Sequence, residues 1–292
     1  MTEPLSSLRE RLRSSYLSAR FEEEFEALMN RYAAALERPR IAIQGVAGSF
    51  SDEAVSKRFA SFDVIACDSF TKMFDAVEKG EADYGLVPVE NSIHGPVVET
   101  YDLLAERSLF VLEEMHMRIV HCLIGSGREV YSHPQALGQC RSYIERHGLV
   151  AVPYYDTAGA VRDKGRIASA IGSARAAALY EMPIRAHDIG PAQNTTRFFL
   201  LGAQASRGSD KGAAIFALRS AHEAGTLAHA LANLESFGVN LTKIESRPAG
   251  NFTYRFIIEY EWSDEVGPAL RALEEHCAHV KDLGRFDIVR IE

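Results

Sequence analysis

The stretch Asn194-Thr195-Thr196-Arg197-Phe198 runs directly into the apolar Phe199-Leu200-Leu201. In an extended chain alternate side chains share a face. Asn194, Thr196 and Phe198 then lie together as an amide, a hydroxyl and an aromatic wall, while Thr195, Arg197 and Phe199 take the other face. The first set can hold a small polar ligand against an apolar surface. An edge strand with β-forming threonines and a solvated arginine has the same pattern. A second device recurs upstream, where strands end in hydroxyl or amide residues that open helices: Ser49/Ser51, Asn91/Ser92, Ser132/Gln135, Asp156/Thr157 and Ser173. Helix N-termini present free N–H groups and a partial positive charge, so several aimed at one cleft would bind carboxylates or phosphates. Taken singly, each is an ordinary N-cap.

The elements that must position these residues alternate between strand and helix. Ile41–Gln44, Val64–Cys67 and Tyr84–Val89 read as strands, with helices opening at Ser51 and Phe70 and covering Val97–Glu106. A β-rich passage spans Leu109–Ile124. A helix is expected from Ser132 to about Gly148, and further strands at Val150–Val152 and Ile167–Ile171. This alternation argues for α/β layers with mainly parallel strands. The polar segment Ser206–Gly212 reads as a linker. Beyond it the order is β-α-β-β-α-β, the ferredoxin-like split unit. Its second helix is expected to carry Val266, Leu270, Leu273, Cys277 and Val280, and its last strand Phe286–Ile291. Residues 1–38 read as an amphipathic helical arm, with Leu5, Leu8 and Leu12 and then Phe21, Phe25 and Leu28 at spacings of three and four.

Composition narrows the function classes. The chain has 292 residues, 47% hydrophobic, and a net charge of −8. That length accommodates about two domains, and the lack of a basic stripe argues against nucleic acid. No run approaches a membrane span. Cys67, Cys122, Cys140 and Cys277 form no C-x-x-C pair and read as reduced thiols in a cytoplasmic protein. Gly125-Ser126-Gly127 starts a dinucleotide fingerprint, but Val130 occupies its sixth position. His276-x-x-His279 and the His116/His121 pair lack partner ligands and read as surface or core histidines, so no metal is expected.

Five motifs in order carry a family resemblance: Gly45-x-x-Gly48-Ser49-Phe50-Ser51, Val87-Pro88-Val89-Glu90-Asn91-Ser92-x-x-Gly95, Ser132-His133-Pro134-Gln135, Asp156-Thr157-Ala158 and Asn194-x-Thr196-Arg197-Phe198. The set resembles prephenate dehydratase, and Asn240–Pro248 resembles the phenylalanine-sensing ACT domain of that family. The resemblance implies a two-lobed, periplasmic-binding-protein-like catalytic domain over 39–205 with its active site in the cleft. It also implies an ACT regulatory domain over 212–292, homodimers or homotetramers, and L-phenylalanine as allosteric effector. The implied reaction converts prephenate to phenylpyruvate without a cofactor. Arogenate is an alternative substrate, and a non-catalytic amino-acid sensor is the reading from a different class.

The same resemblance points to Thr196 as donor to the leaving hydroxyl, with Asn194 fixing the geometry, Phe198 as wall and Arg197 bracing from behind. It offers Ser49, Glu90, Asn91, Ser92, Ser132, Gln135 and Thr157 for the substrate. For the effector it offers Gly225, Thr226, Leu227, Asn240, Leu241, Glu245, Ser246, Arg247 and Pro248. Thr226 stands where the family usually has alanine, and Val46-Ala47 replaces a commoner Pro-x. The leader of about 40 residues is shorter than a chorismate mutase domain, so no mutase activity is expected.

Overall fold

A computed structural model describes residues 38–219, 223–250 and 253–291. The expected helical arm therefore lies outside the described residues, apart from Arg38. From Arg40 onward the chain forms one unit.

The first lobe opens with β1 (Arg40–Gln44), α1 (Phe50–Arg58), β2 (Asp63–Cys67), α2 (Phe70–Glu78), β3 (Tyr84–Asn91), β4 (Gly95–Pro96), α3 (Val98–Glu106) and β5 (Phe110–Arg118). The second lobe comprises β6 (Cys122–Gly125), β7 (Glu129–Ser132), α4 (Pro134–Gln139), α5 (Arg141–Arg146), β8 (Val150–Pro153), α6 (Thr157–Lys164), β9 (Ser169–Gly172), α7 (Ala174–Leu179) and β10 (Ile184–Ala186). The chain then returns to the first lobe as β11 (Thr195–Gly202). The rest is β12 (Lys211–Leu218), α8 (Thr226–Ser236), β13 (Leu241–Pro248), β14 (Tyr254–Glu261), α9 (Val266–Leu273) and β15 (Cys277–Ile291), the expected β-α-β-β-α-β order.

The second lobe has its own sheet, ordered β10-β6-β9-β7-β8. The larger sheet runs β13-β14-β12-β15-β5-β11-β3-β1-β2, with β4 on the side of β3, so it continues from the C-terminal unit into the first lobe. One strand makes that continuity. The first part of β15 pairs antiparallel with β12, and its last residues, Asp287–Ile291, pair parallel with β5. A single core therefore mixes both regions: Ile215, Ile257, Leu283 and Phe286 pack with Val89, Tyr101 and Phe199. The other face of the C-terminal strands packs under α8 and α9 through Phe216, Ile258 and Tyr260.

The strand β11 shows how sequence pattern becomes position. Phe198 and Leu200 enter the core that contains Ile41, Leu86 and Met115, while Phe199 and Leu201 enter the one shared with the C-terminal unit. Both faces are covered, which is why its second half is continuously apolar.

Four expectations need correction. The strands of the two lobes are not mainly parallel: β1 pairs parallel with β2 and β3, and β7 with β8 and β9, but β11 pairs antiparallel with β3 and β5, and β6 with β9 and β10. The helix expected across 132–148 is two short helices that meet at Cys140, which is the C-cap of one and the N-cap of the other. The expected second C-terminal helix stops at Leu273. Cys277 and Val280 instead pair with Leu218 and Phe216 of β12, because ladder hydrogen bonds on a buried sheet outweigh a local helical period. The same change puts His276 in a turn and His279 on a strand, so they share no helix face. Lys211 and Gly212, taken as linker, already belong to β12.

Candidate active site

A cavity of about 410 Å³ opens between the lobes, within the range that small-molecule sites occupy, roughly 300–1,000 Å³. Asn194, Thr196 and Phe198 form part of its wall, as the alternation of an extended strand requires. Opposite them stand three helix starts: Ser49 and Ser51 at α1, His133 and Gln135 at α4, and Asp156 and Thr157 at α6. Ser49 caps α1 by accepting from the Asp52 amide at 3.2 Å, and Asp156 caps α6 by accepting from the Gly159 amide at 2.5 Å. None of the described residues lining the cavity is lysine or arginine. Favourable contacts for an anion there must therefore come from helix N-termini and amide groups.

The loop before α1 is clasped by the second lobe. Ser173 donates to the Gly48 carbonyl at 2.7 Å, and Asp52 accepts from the Gly48 amide at 2.7 Å and from Arg175 at 2.9 Å. Gly48 has φ +87°, and a Cβ there would lie 3.0 Å from the Ala176 Cα. Only glycine meets both conditions without strain.

A directed hydrogen-bond chain runs along the wall. Asn91 Oδ1 accepts from the backbone amides of Ile93 and His94, at 3.0 and 3.2 Å. Those fixed donors set the amide orientation, so Asn91 Nδ2 must be the donor to Asn194 Oδ1 at 2.8 Å and to Thr196 Oγ1 at 3.0 Å. Asn194 Nδ2 in turn donates to Gln139 Oε1 at 3.0 Å. That oxygen also receives His121 Nε2 at 2.5 Å, and Gln139 Nε2 donates to His94 Nδ1 at 3.0 Å. His121 is 2% exposed. Burial lowers its pKa, more than the Gln139 contact raises it, and keeps the ring neutral. The consequence falls on Thr196. Its oxygen is occupied as an acceptor, so its hydroxyl proton is free to be donated into the cavity.

The other face of the same strand segment is ionic. Arg197 donates to Glu114 at 2.7 Å, to Glu90 at 2.5 Å and to Glu259 at 2.6 Å. Lys211 bridges Glu114 and Glu259 at 3.0 and 2.5 Å, and Lys243 reaches Glu90 at 2.8 Å. Burial alone would raise the Glu114 carboxyl. Hydrogen bonds from His116 and Arg197, with the charges of Arg197 and Lys211, outweigh it and hold Glu114 well below the usual range. Glu90 is lowered too, because Lys243 and Arg197 overcome its burial. The Arg197 guanidinium, although buried, is held protonated more firmly by Glu114 and Glu259.

Residues 41–206 match the family model described as prephenate dehydratase. A relative from Arabidopsis thaliana, named arogenate dehydratase/prephenate dehydratase 2, chloroplastic, is 34% identical over 281 residues, 86% of this chain and 73% of that protein. The chain belongs to the prephenate dehydratase family. Among solved structures, prephenate dehydratase of Arthrobacter aurescens in complex with L-Phe superposes with a TM-score of 0.77 at 28% identity, covering 85% of this chain and 90% of that one. A structure described as a novel type of quorum quenching acylase also superposes at 0.77, with 31% identity and coverage of 85% and 97%. The fold is therefore that of the family's periplasmic-binding-protein-like enzymes.

Within this dehydratase fold, Ser49, Asn91, Gln135, Thr157, Asn194, Thr196 and Phe198 gather on the cavity. Four other site candidates do not. Ser132 is fully buried and its hydroxyl donates to the Ile171 carbonyl at 2.7 Å, inside the second lobe. Ser92 bridges the Gln193 carbonyl and the Thr195 amide, which staples the return strand. Glu90 and Arg197 face away from the cavity, into the ionic cluster.

The effector candidates divide as well. Gly225, with φ +87°, is the N-cap of α8, and the Thr226 hydroxyl is engaged with the Glu223 carbonyl at 2.9 Å. Along β13 the burial alternates, so Leu241, Glu245 and Arg247 are half-buried while Ser246 and Pro248, like Asn240 before them, are exposed. Arg247 pairs with Asp102 of α3, across the junction with the first lobe. Alternation in a strand cannot bring Glu245, Ser246, Arg247 and Pro248 to one face.

Gln139 and His121 were not read from the sequence as site residues. Gln139 had a signal, because it lies one helical turn beyond Gln135 on the same face. His121 had none beyond its place just before the buried Cys122–Gly125 strand.

Proposed function

We propose that the chain removes water and carbon dioxide from prephenate to give phenylpyruvate, with Thr196 as the hydrogen-bond donor to the leaving hydroxyl. The bond between the ring and its carboxylate breaks, and its electron pair becomes part of the aromatic ring. The ring C–O bond breaks on the other side, and the departing hydroxide takes up one proton, supplied ultimately by solvent, and leaves as water. Aromatisation drives both cleavages, so the reaction asks for no electron sink.

The observation that carries this reading is the direction of the Asn91–Thr196 hydrogen bond. It leaves the Thr196 proton with no acceptor among the described residues and so available to a ligand in the cavity that Thr196 lines, where a donor strengthens as charge builds on the departing oxygen. The helix starts at Ser49, Gln135 and Thr157 suit the substrate's carboxylates. Phe198 forms an apolar wall for the ring. A cavity without lysine or arginine among its described lining also leaves the departing carboxylate without a strong counter-charge, which favours its loss as carbon dioxide.

We further infer that residues 212–292 act as an ACT regulatory domain that answers to L-phenylalanine in a cytoplasmic homodimer or homotetramer. The βαββαβ order and the similar structure in complex with L-Phe support that reading. Arogenate differs from prephenate only in an amino group replacing the keto oxygen, and the Arabidopsis relative's name covers both activities. The decisive assay presents prephenate and arogenate side by side and follows the aromatic product, with Thr196→Ala as control. Product from prephenate that disappears in the variant supports the proposal. Turnover of arogenate alone would reassign the substrate, and full turnover by the variant would overturn the role of Thr196.

A further inference from the structure

We propose that Glu259 and Lys211, both in the C-terminal unit, are positioning residues for the reaction, acting on Thr196 and Asn91 through Arg197 and Glu90. The ladder beside the site has a weak point. In the β11–β3 pairing Thr196 faces Asn91 and Arg197 faces Glu90, but Phe198 faces Pro88. Val89 is thus an extra residue on β3, a bulge that interrupts pairing just short of the two site residues. Pro88, next to it, has no N–H to give. Beyond the bulge the β3 ladder keeps two residue pairs, so Thr196 is held against Asn91 by these, by the Ser92 staple at Thr195 and by β5 on the other side.

Arg197 makes good that weakness from behind. Its guanidinium spans both neighbouring strands, through Glu90 on β3 and Glu114 on β5, and its third arm reaches Glu259 on β14. A planar fork with fixed donors holds three carboxylates in a way a lysine cannot. Glu259 and Glu114 are each 1% exposed, and Lys211 ties them together. Among the acidic side chains and the Arg and Lys of the cluster the charges balance, with Glu90, Glu114 and Glu259 facing Arg197, Lys211 and Lys243, while the His116 ring also contacts Glu114 at 2.6 Å. Removing the Glu259 charge leaves one cation in excess in a buried site and frees one arm of Arg197. The strain then falls on the residues flanking Arg197 and Glu90, which are Thr196 and Asn91.

The C-terminal anchor also has room to change partners. Glu259 Oε1 and the Tyr101 hydroxyl are both buried without a hydrogen-bond partner among the described residues. Tyr101 lies on α3 beneath Lys243, 5.4 Å from its ring centre. Burial first, and then the Glu259 charge, raise its pKa and keep the hydroxyl a donor. The anchor that holds Arg197 thus sits among an unused donor and an unused acceptor, at the junction of the C-terminal unit with the first lobe.

The test uses the full chain and two readouts, steady-state turnover of prephenate and amide hydrogen exchange over 88–92 and 194–198. Glu259→Gln should lower kcat about 10- to 100-fold while KM stays within about threefold, the signature of a misplaced donor rather than lost binding. Exchange should quicken in those two segments and not in the second-lobe strands. Adding Lys211→Met to Glu259→Gln restores the charge balance and should recover much of the loss, a coupling that independent sites would not give. Glu261→Gln, on the same strand but outside the cluster, should change neither readout. If Glu259→Gln does not fold, Lys243→Met carries the test from the rim, with an expected kcat loss of about 3- to 10-fold. Unchanged kcat in the folded variant, or a rise in KM alone, overturns the proposal. The kcat arm rests on the reaction proposed above. Absence of turnover in the unmodified protein would refute that reaction, while unaltered exchange at 88–92 and 194–198 would refute the positioning role.

Discussion

The two faces of one short strand segment solve different problems. Toward the cavity, Asn194 and Thr196 belong to a neutral chain of amides and imidazoles anchored on two backbone N–H groups. Away from it, Arg197 belongs to a cluster of full charges that joins three strands and a second structural unit. Neutral groups with defined donors and acceptors give direction, because each atom has one role. Buried charges give holding force, here shaped by the planar Arg197 fork, at a desolvation cost that only complete pairing offsets. A site that must aim one proton benefits from keeping these functions on opposite sides of the sheet.

The contrast predicts different consequences on each face. Thr196→Ala should lower kcat about 100- to 10,000-fold, or roughly 3–5.5 kcal/mol in the barrier, since it removes the aimed donor. Its urea midpoint should barely move, and Thr196→Ser should keep much of the activity. A large stability loss in the alanine variant would show that the front face also holds the fold.

Arg197→Ala should lower turnover, because Thr196 loses its brace, and should also lower stability, which Thr196→Ala leaves nearly untouched. It leaves Glu90, Glu114 and Glu259 facing one another with two lysines, and breaking a buried cluster in this way costs about 3–5 kcal/mol. Chemical denaturation measures it. A variant as stable as the parent would mean that the cluster rearranges freely.

A milder probe of direction is Asn194→Asp. A carboxylate still accepts from Asn91 but can no longer donate to Gln139 Oε1, so two acceptors would meet. Because Asn194 is fully buried, the carboxylate also carries a desolvation cost, so a kcat loss of at least about 10-fold is expected together with a drop in stability. Near-normal turnover would show that the chain's direction does not matter.

The smallest effect concerns acid. Glu90 and Glu114 titrate lower in the folded chain than their ordinary value of 4.5. The unfolded chain therefore takes up protons first as pH falls. The stability these carboxylates contribute is fully present above about pH 4.5 and is lost as pH drops through their folded values. Urea midpoints across this range should fall more steeply for the parent than for Glu114→Gln, and parallel curves would remove Glu114 from the acid response.

The alternation at 194–201 determined by itself that Asn194, Thr196 and Phe198 share a face and that Arg197 turns from it. It did so because side-chain direction in a strand follows from the geometry of adjacent peptide units. The hydroxyl and amide residues at strand–helix junctions likewise marked where helices begin, through the local need to satisfy free N–H groups. Which junctions meet at the cavity was decided elsewhere. Ser132 and Ser49 look alike in sequence, yet the Ser132 hydroxyl binds the Ile171 carbonyl within its own lobe while Ser49 stands on the cavity wall. The partners of Arg197 were hidden for the same reason. Glu114 lies 83 residues before it and Glu259 62 residues after it. Their meeting depends on β5 and β11 being neighbours and on the C-terminal sheet packing against them. Strand adjacency and sheet packing are fixed by burial across the whole chain, which no local pattern records.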